Sequence, residues 1–487
     1  MFWVNRSRRF VTLTDHCLRK VSNGSGKPDI RVQEVSGGPE SAGCMIRLCF
    51  HAARYLAGCP LSGFPPTPWG PGWDFEEQDV RFPGTKKSMK ILHLDCSTGF
   101  GGQERDHLAE AVGFLAKGHE YVLGVRPHSP LEEYARNKVP VLPLPLRNNV
   151  DRESFGKIRA FLKEHAIDVL VTTSYIDSFL GPLAALSLGS RRPLVIRQRH
   201  LMNPPRNLFP FRRMCDRLVV VSDALRLFFL EKGIPFWHVV TIHRGVEAIS
   251  PERKDGSEKK VRRKNLGLPE SGPLLLQVGM FQRDKGHHMT LDALKTIFRE
   301  RPDSVVVFLG EGPLKGEIMA RSQRIFPEQT GKQIFYAGRE NPAPYFQVAD
   351  VLLHPSVREA LGLVIIEAIQ HGVPIVAFRI GGIPEIFNRM SGGYLVRPFD
   401  VRAFSRTVLA VLGEKTGDAP QIFAGWNSFT LDQTVEKTLT LYGSELEHLR
   451  SGLGKSHDNP YRIIGGRADP FRMTLFPPGN MQDKEAP

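Results

Sequence analysis

The sequence predicts an α/β protein with two parallel-sheet lobes in series, facing one another across a cleft. Three observations carry that expectation. Strand-sized apolar runs alternate with helical segments from residue 89 to about 245, the alternation stops at a charged stretch spanning 251–264, and it restarts at Leu274. Short apolar runs between helices read as strands buried on both faces, the signature of a parallel sheet covered by helices.

The first-lobe strands are expected at Ile91–Leu94, Tyr121–Val125, Val139–Leu144, Val169–Thr172, Leu194–Arg197, Leu218–Val221 and Val239–Ile242. Between the first two, Leu108, Val112 and Leu115 mark one face of a helix. The second lobe repeats the plan at Leu274–Val278, Val305–Leu309, Ile334–Tyr336, Val351–Leu353 and Ile375–Phe378. Leu431, Val435, Leu439, Tyr442 and Leu446 recur at helical spacing and form the apolar stripe of a last helix. The boundaries are therefore an extension over 1–88, a first domain over 89–248, a linker over 249–270, a second domain over 271–424, a helix over 425–450 and a tail over 451–487. The extension is rich in proline and glycine and shows no strand–helix alternation, so Met89 is read as the start of the folded chain. The extension is then disordered or translated upstream sequence, and the glycine- and proline-bearing tail is also expected to be disordered.

The 487 residues suffice for two or three cores. No apolar run approaches the ~18 residues of a membrane span. The net charge of +14 favours an anionic partner without choosing among sugar nucleotide, acidic lipid and nucleic acid. The six cysteines complete no zinc pattern, which fits a reducing cytoplasm.

The segment from Pro355 to Glu385 is the richest in chemistry. Glu359 and Glu367 stand eight positions apart, with Gly362 between them. On one continuous helix they would lie about 80° apart, on different faces. Glu359 is better placed in a loop after a strand ending at His354, with a helix opening near Gly362 and carrying Glu367 in its second turn. The amides of Gly362, Leu363 and Val364 then make an anion site at a helix N-terminus. Gly372 and Pro374 end that helix. Amides for a pyrophosphate, flanked by carboxylates for sugar hydroxyls, describe a sugar nucleotide.

Asp350-Val-Leu-Leu-His-Pro-Ser, the two glutamates and Gly381-Gly-Ile-Pro-Glu385, in that order, resemble the donor site of family 4 retaining glycosyltransferases. Those are GT-B enzymes, with two Rossmann-like domains and a last helix that crosses back to the first. Gly99-Phe-Gly101-Gly102 resembles the family's first-lobe glycine loop. It is no dinucleotide fingerprint, because Glu104 occupies the third glycine position. Lys117-Gly-His-Glu120, His243-Arg-Gly-Val-Glu247 and Gly310-Glu-Gly312-Pro313 match in order. His200 resembles the family's strand-end histidine facing the transferred sugar. Lys285 aligns with the family's basic loop, but Met280 stands where the family has arginine, so the guanidinium role falls to Arg283.

The resemblance implies transfer of a sugar from a nucleoside diphosphate to a hydroxyl acceptor with retention. Glu359, His200, Lys285 and Arg283 are the expected catalytic residues. Gly101, Gly102, Gly310, Gly362, Leu363, Val364 and Glu367 are expected to bind the donor. No metal or other cofactor is expected. The acceptor is expected to be a glycan or lipid-linked hydroxyl in cell-envelope or glycolipid assembly. Arg197, Arg199, Arg206, Arg212, Arg213 and Arg217, with Phe209 and Phe211 interleaved, suit an acidic lipid surface, a phosphorylated acceptor or single-stranded nucleic acid, and peripheral contact with the inner face of an anionic membrane is the expectation carried forward. Nucleic acid is not the expected partner. A nucleotide-sugar epimerase on the same fold, or a non-catalytic basic protein bound to membrane or nucleic acid, are the alternatives.

Overall fold

The computed structural model describes residues 2–3, 10–11, 88–205, 207–248, 256–390, 393–413 and 425–451. The chain divides into two units, residues 1–80 and 81–487. In the first unit the described residues are an antiparallel pair, Phe2–Trp3 with Phe10–Val11. The disorder expected for the extension and the tail concerns residues that otherwise lie outside the described set, as does Arg206.

The second unit holds both expected lobes. The first lobe has seven strands: β1 (Lys90–Asp95), β2 (Glu120–Val125), β3 (Val141–Pro143), β4 (Val169–Thr172), β5 (Leu194–Arg199), β6 (Arg217–Val220) and β7 (Val239–Thr241). Their order is β3-β2-β1-β4-β5-β6-β7, and every neighbouring pair is parallel. All four residues of β4 are buried, as a central strand covered on both faces requires. β3 is shorter than expected and lies at the sheet edge, where Pro143 removes a donor from the ladder.

The second lobe has six parallel strands: β8 (Leu274–Val278), β9 (Val305–Leu309), β10 (Ile334–Gly338), β11 (Val351–His354), β12 (Ile375–Phe378) and β13 (Gly393–Val396). Their order is β10-β9-β8-β11-β12-β13. Five match the expected runs. β13 is an addition to them, because three of its four residues are only half-buried and no long apolar run marks it.

The expected linker is a second departure. Part of it is helix, Gly256–Asn265, whose Arg263 is buried and pairs with Asp350 at 2.9 Å. Lys259 reaches the same carboxylate at 2.5 Å. A charged stretch reads as solvated when the carboxylate that receives it lies far away in sequence.

Among the helices of the two lobes are α1 (Gly102–Ala116), α2 (Asp223–Glu231), α3 (the Gly256–Asn265 helix), α4 (Leu363–Gln370) and α5 (Leu431–Arg450). The last crosses back to the first lobe as expected, burying Val435, Tyr442 and Leu446 in one cluster with Phe114 and Tyr121. The approach to α1 is close. A Cβ on Gly113 would stand 2.7 Å from Val435 Cγ2, so only glycine lets the two helices meet there. Among the described residues no helix is long and apolar enough to cross a membrane.

Candidate functional site

The carboxyl ends of β8 and β11 bring the second lobe's chemistry together. β8 leads into a turn, Arg283–Lys285, and β11 leads into the loop that carries Glu359. The two are tied by Val357 N–H, which donates to the Asp284 carbonyl at 2.8 Å. Gln277 steadies the turn, donating to the Lys285 carbonyl at 2.9 Å while accepting from Thr290 Oγ1 at 2.7 Å.

On that support Lys285 Nζ meets Glu359 Oε2 at 2.7 Å, and His354 Nε2 approaches the same oxygen at 3.2 Å. Lys285 keeps a quarter of its side chain exposed and Glu359 keeps 14%. Burial alone would favour a neutral Glu359. The Lys285 charge and the His354 hydrogen bond outweigh it and hold the carboxyl well below the usual range. Burial likewise opposes the Lys285 charge, and Glu359 overcomes it and raises the ammonium pKa. The pair is ionised throughout the ordinary pH range.

α4 begins one step further on. Its N-cap is Gly362, at φ 103°, a left-handed conformation that suits glycine and turns the chain from the Glu359 loop into the helix. No side chain caps this end, so the Leu363 and Val364 amides open it as an anion site. Glu367 lies one turn along, 15% exposed. Gly310 follows β9 and donates to the Gly338 carbonyl at 2.7 Å, while Phe281 N–H donates to the Glu311 carbonyl at 3.0 Å. The loops after β8 and β9 are thus laced side by side.

The first lobe faces this cluster with the Gly101–Gly102 loop. Glu104 Oε2 accepts from Gly101 N–H at 2.7 Å and closes the start of α1. From the next position, Arg105 Nη2 crosses to Glu367 Oε1 at 2.8 Å. Met280 fills the space beside the loop, its sulfur 3.3 Å from where a Gly101 Cβ would lie. Further bridges join the lobes. Arg358 donates to Asn203 Oδ1 at 2.8 Å. Glu385 accepts from the Asp223 and Ala224 amides, at 2.8 and 2.7 Å, and lies 2.7 Å from His243 Nε2. Asp223, His243 and Glu385 bring ligand-type atoms within 4.8 Å of one another, but the Glu385 oxygens already cap α2.

Two expected catalytic residues sit differently. Arg283 shares the Arg283–Lys285 turn, is exposed, and makes no hydrogen bond or ion pair with a described residue. His200 ends the strand region of β5 as expected, but both its nitrogens turn into the first lobe. Nε2 lies 3.2 Å from His107 Nε2 and 3.4 Å from Gln198 Oε1, and Nδ1 lies 3.5 Å from Asp106. Burial first, then the His107 and Arg244 charges, lower its pKa well below the ordinary value. The ring belongs to a buried polar network.

That network escapes a reading of the sequence. Arg244, fully buried, meets Glu110 Oε1 at 2.7 Å, Gln198 Oε1 at 2.6 Å and Asp106 Oδ2 at 3.0 Å. His107 Nδ1 lies 2.8 Å from Asp95, and His93 bridges Tyr121 OH and Thr173 Oγ1 at 2.7 and 2.8 Å. Burial works against a charged His107, yet its bond to Asp95 prevails and raises its pKa. Burial pushes Asp106 up to about 6 against the pull of Arg244. A signal is present: Asp106, Glu110 and His107 fall on the helix face of buried Phe114, and charges at core positions need partners.

Comparison with known proteins closes the question of kinship. A sequence profile described as glycosyl transferases group 1 matches residues 258–421. A second, described as glycosyltransferase family 4, matches residues 100–248. The chain belongs to the family 4, group 1 glycosyltransferases. This family 4 chain is 30% identical over 196 residues to sulfoquinovosyl transferase SQD2 of Arabidopsis thaliana, covering 39% of the chain and 36% of that protein. It is 31% identical over 260 residues to D-inositol 3-phosphate glycosyltransferase of Corynebacterium urealyticum, covering 48% of the chain and 59% of that protein. The matches thus span from about a third to three-fifths of those relatives' length. Among solved structures, a glycosyltransferase from Rickettsia africae superposes with a TM-score of 0.65 at 19% identity, covering 74% of this chain and 99% of that one. Anabaena HepE in complex with UDP and glucose gives 0.62 at 18% identity, covering 73% and 100%. The fold of this family 4 protein is GT-B.

Proposed function

We propose that the chain transfers a glycosyl group from a nucleoside diphosphate-sugar to a hydroxyl acceptor, with retention, in the assembly of a cell-envelope glycan or glycolipid. One observation carries the reading: the ionised Lys285–Glu359 pair, at 2.7 Å, beside the uncapped N-terminus of α4.

The Leu363 and Val364 amides and the Lys285 ammonium receive the diphosphate and stabilise the charge that grows on it as the glycosidic bond breaks. Glu359 stays anionic under the Lys285 charge and accepts hydrogen bonds from the sugar hydroxyls. Glu367 accepts from the ribose diol. The Gly101–Gly102 and Gly310 loops let backbone approach the donor closely. Departure and attack on one face of the sugar give retention without a covalent intermediate. His200 acts within the buried network and Arg283 stays at the surface, so neither is assigned to the reacting atoms. No metal is assigned, because fixed cations and amides occupy its electrostatic role.

The relatives' names support sugar transfer, and HepE was crystallised with UDP and glucose. Exposed Arg212, Arg213 and Phe209 favour a lipid-linked acceptor met on the inner face of the cytoplasmic membrane.

The test is to incubate the full chain with labelled UDP-, GDP- and ADP-glucose and membrane lipid extract. Label should enter the lipid fraction from one donor, with the anomeric configuration of that donor by NMR. Glu359→Gln should slow it by about 10²–10³. Transfer at the wild-type rate in Glu359→Gln would refute the assignment.

A further inference from the structure

Arg105 has no part in the chemistry above, yet it makes a direct polar contact between the cleft walls. It stands in the opening turn of α1, half its side chain is exposed, and it reaches Glu367 of the other lobe at 2.8 Å. Glu367 is the more buried partner. Burial raises its pKa and Arg105 pulls it back, so the carboxylate depends on that counter-ion. In the loop after β8, Met280 fills the space at Gly101 with a thioether, and Arg283 is exposed and makes no polar contact with a described residue, whereas Arg105 is already held against the second lobe.

We propose that Arg105 is the guanidinium that grips the donor's diphosphate, supplied by the first lobe and parked on Glu367 while the cleft is empty. This inference rests on reading the cleft as a nucleoside diphosphate-sugar site. Glu367 lies four residues along α4 from Leu363, about 6 Å of helix rise. A guanidinium already touching Glu367 therefore stands about one helical turn from a phosphate held at the α4 amides, a span that rotation of a long side chain can cover. Its planar fork matches two phosphate oxygens.

The exchange leaves no polar group stranded. As Arg105 moves to the diphosphate, the vicinal ribose hydroxyls replace it as donors to Glu367. The sequence thus couples recognition of the nucleoside to capture of the phosphates. Because Arg105 belongs to α1 and the amides to α4, the donor itself then holds the two lobes together. Closure of this kind excludes water from the bond that breaks.

The experiment compares the wild-type full chain with Arg105→Gln, Arg105→Lys and Glu367→Gln by titration calorimetry. The probes are UDP, GDP, ADP and the three corresponding monophosphates. The wild type should bind one diphosphate more tightly than its monophosphate by about tenfold or more, the size of a charge-assisted contact. Arg105→Gln should erase that preference while monophosphate affinity changes by less than about threefold, and Arg105→Lys should keep part of it. Glu367→Gln should weaken diphosphate and monophosphate alike and keep the preference. Thermal melting verifies that each variant is folded, which half-exposed Arg105 makes an expected outcome. Equal weakening of both nucleotides in Arg105→Gln, or unchanged diphosphate binding, overturns the inference alone. A wild type that binds none of the three diphosphates overturns the inference together with the proposed function.

Discussion

In the first lobe the charged groups near the strand ends close on one another: Arg244 on Glu110, Asp106 and Gln198, and His107 on Asp95, all buried. In the second lobe, at the ends of equivalent strands, Lys285 and Glu359 pair at 2.7 Å and remain a quarter and a seventh exposed. Both lobes are parallel α/β sheets, so the fold does not dictate the difference. Charges that satisfy each other inside a lobe specify its packing and orient the helix that presents the glycine loop. Charges paired at an opening can exchange partners with a ligand. The first kind should fail by unfolding and the second by losing function.

The largest expected effect on stability belongs to the buried side of that contrast. Arg244→Leu leaves Glu110 and Asp106 without their cation, and breaking such a set costs about 3–5 kcal/mol. Urea unfolding should show it, and a midpoint close to wild type would break the comparison. Removing the Glu385 bridge should cost less. Glu385→Ala strips the N-terminus of α2 of its carboxylate and should lower stability by about 1–2 kcal/mol, read in the same assay.

On the open side, Glu359→Gln should reduce turnover by about 10²–10³, the scale of a lost transition-state contact, with a smaller stability loss than Arg244→Leu. A variant that unfolds as readily as Arg244→Leu would place Glu359 among the structural charges. The smallest effect is pH-dependent. Burial first, then His107, lower the His93 pKa to about 3, so the ring is neutral in the fold. Its contribution is therefore present above the ordinary 6.5 and lost as pH falls toward 3. The raised pKa of His107 works the opposite way, favouring the fold below 6.5 and fading as pH rises. His93→Gln should therefore lose less stability than wild type between pH 7 and pH 5, and an identical loss would show that His93 does not carry it.

Much of this is legible in the chain. Buried parallel strands announce themselves as apolar runs, and the glycine at 362 with glutamates on either side places loop, cap and helix from residue order alone. β13 stays hidden because an edge strand that is half-buried carries little apolar signal. Arg263 hides because its carboxylate, Asp350, is remote in sequence. His200 and Arg283 show the other limit. Sequence places a residue at a strand end or in a turn, but the direction of its side chain depends on neighbours such as His107 and Asp106, which arrive from another element. Arg105 gives no signal of its own because nothing local ties it to Glu367, 262 residues away.

The most direct test of the central claim is equilibrium binding of UDP, GDP and ADP to the full chain and to Lys285→Ala. One nucleoside diphosphate should saturate the wild type at a single site, and Lys285→Ala should weaken it by about tenfold or more, as expected for a lost charge-assisted contact to phosphate. Binding of all three that is undetectable, or that Lys285→Ala leaves intact, would contradict a donor site between these lobes.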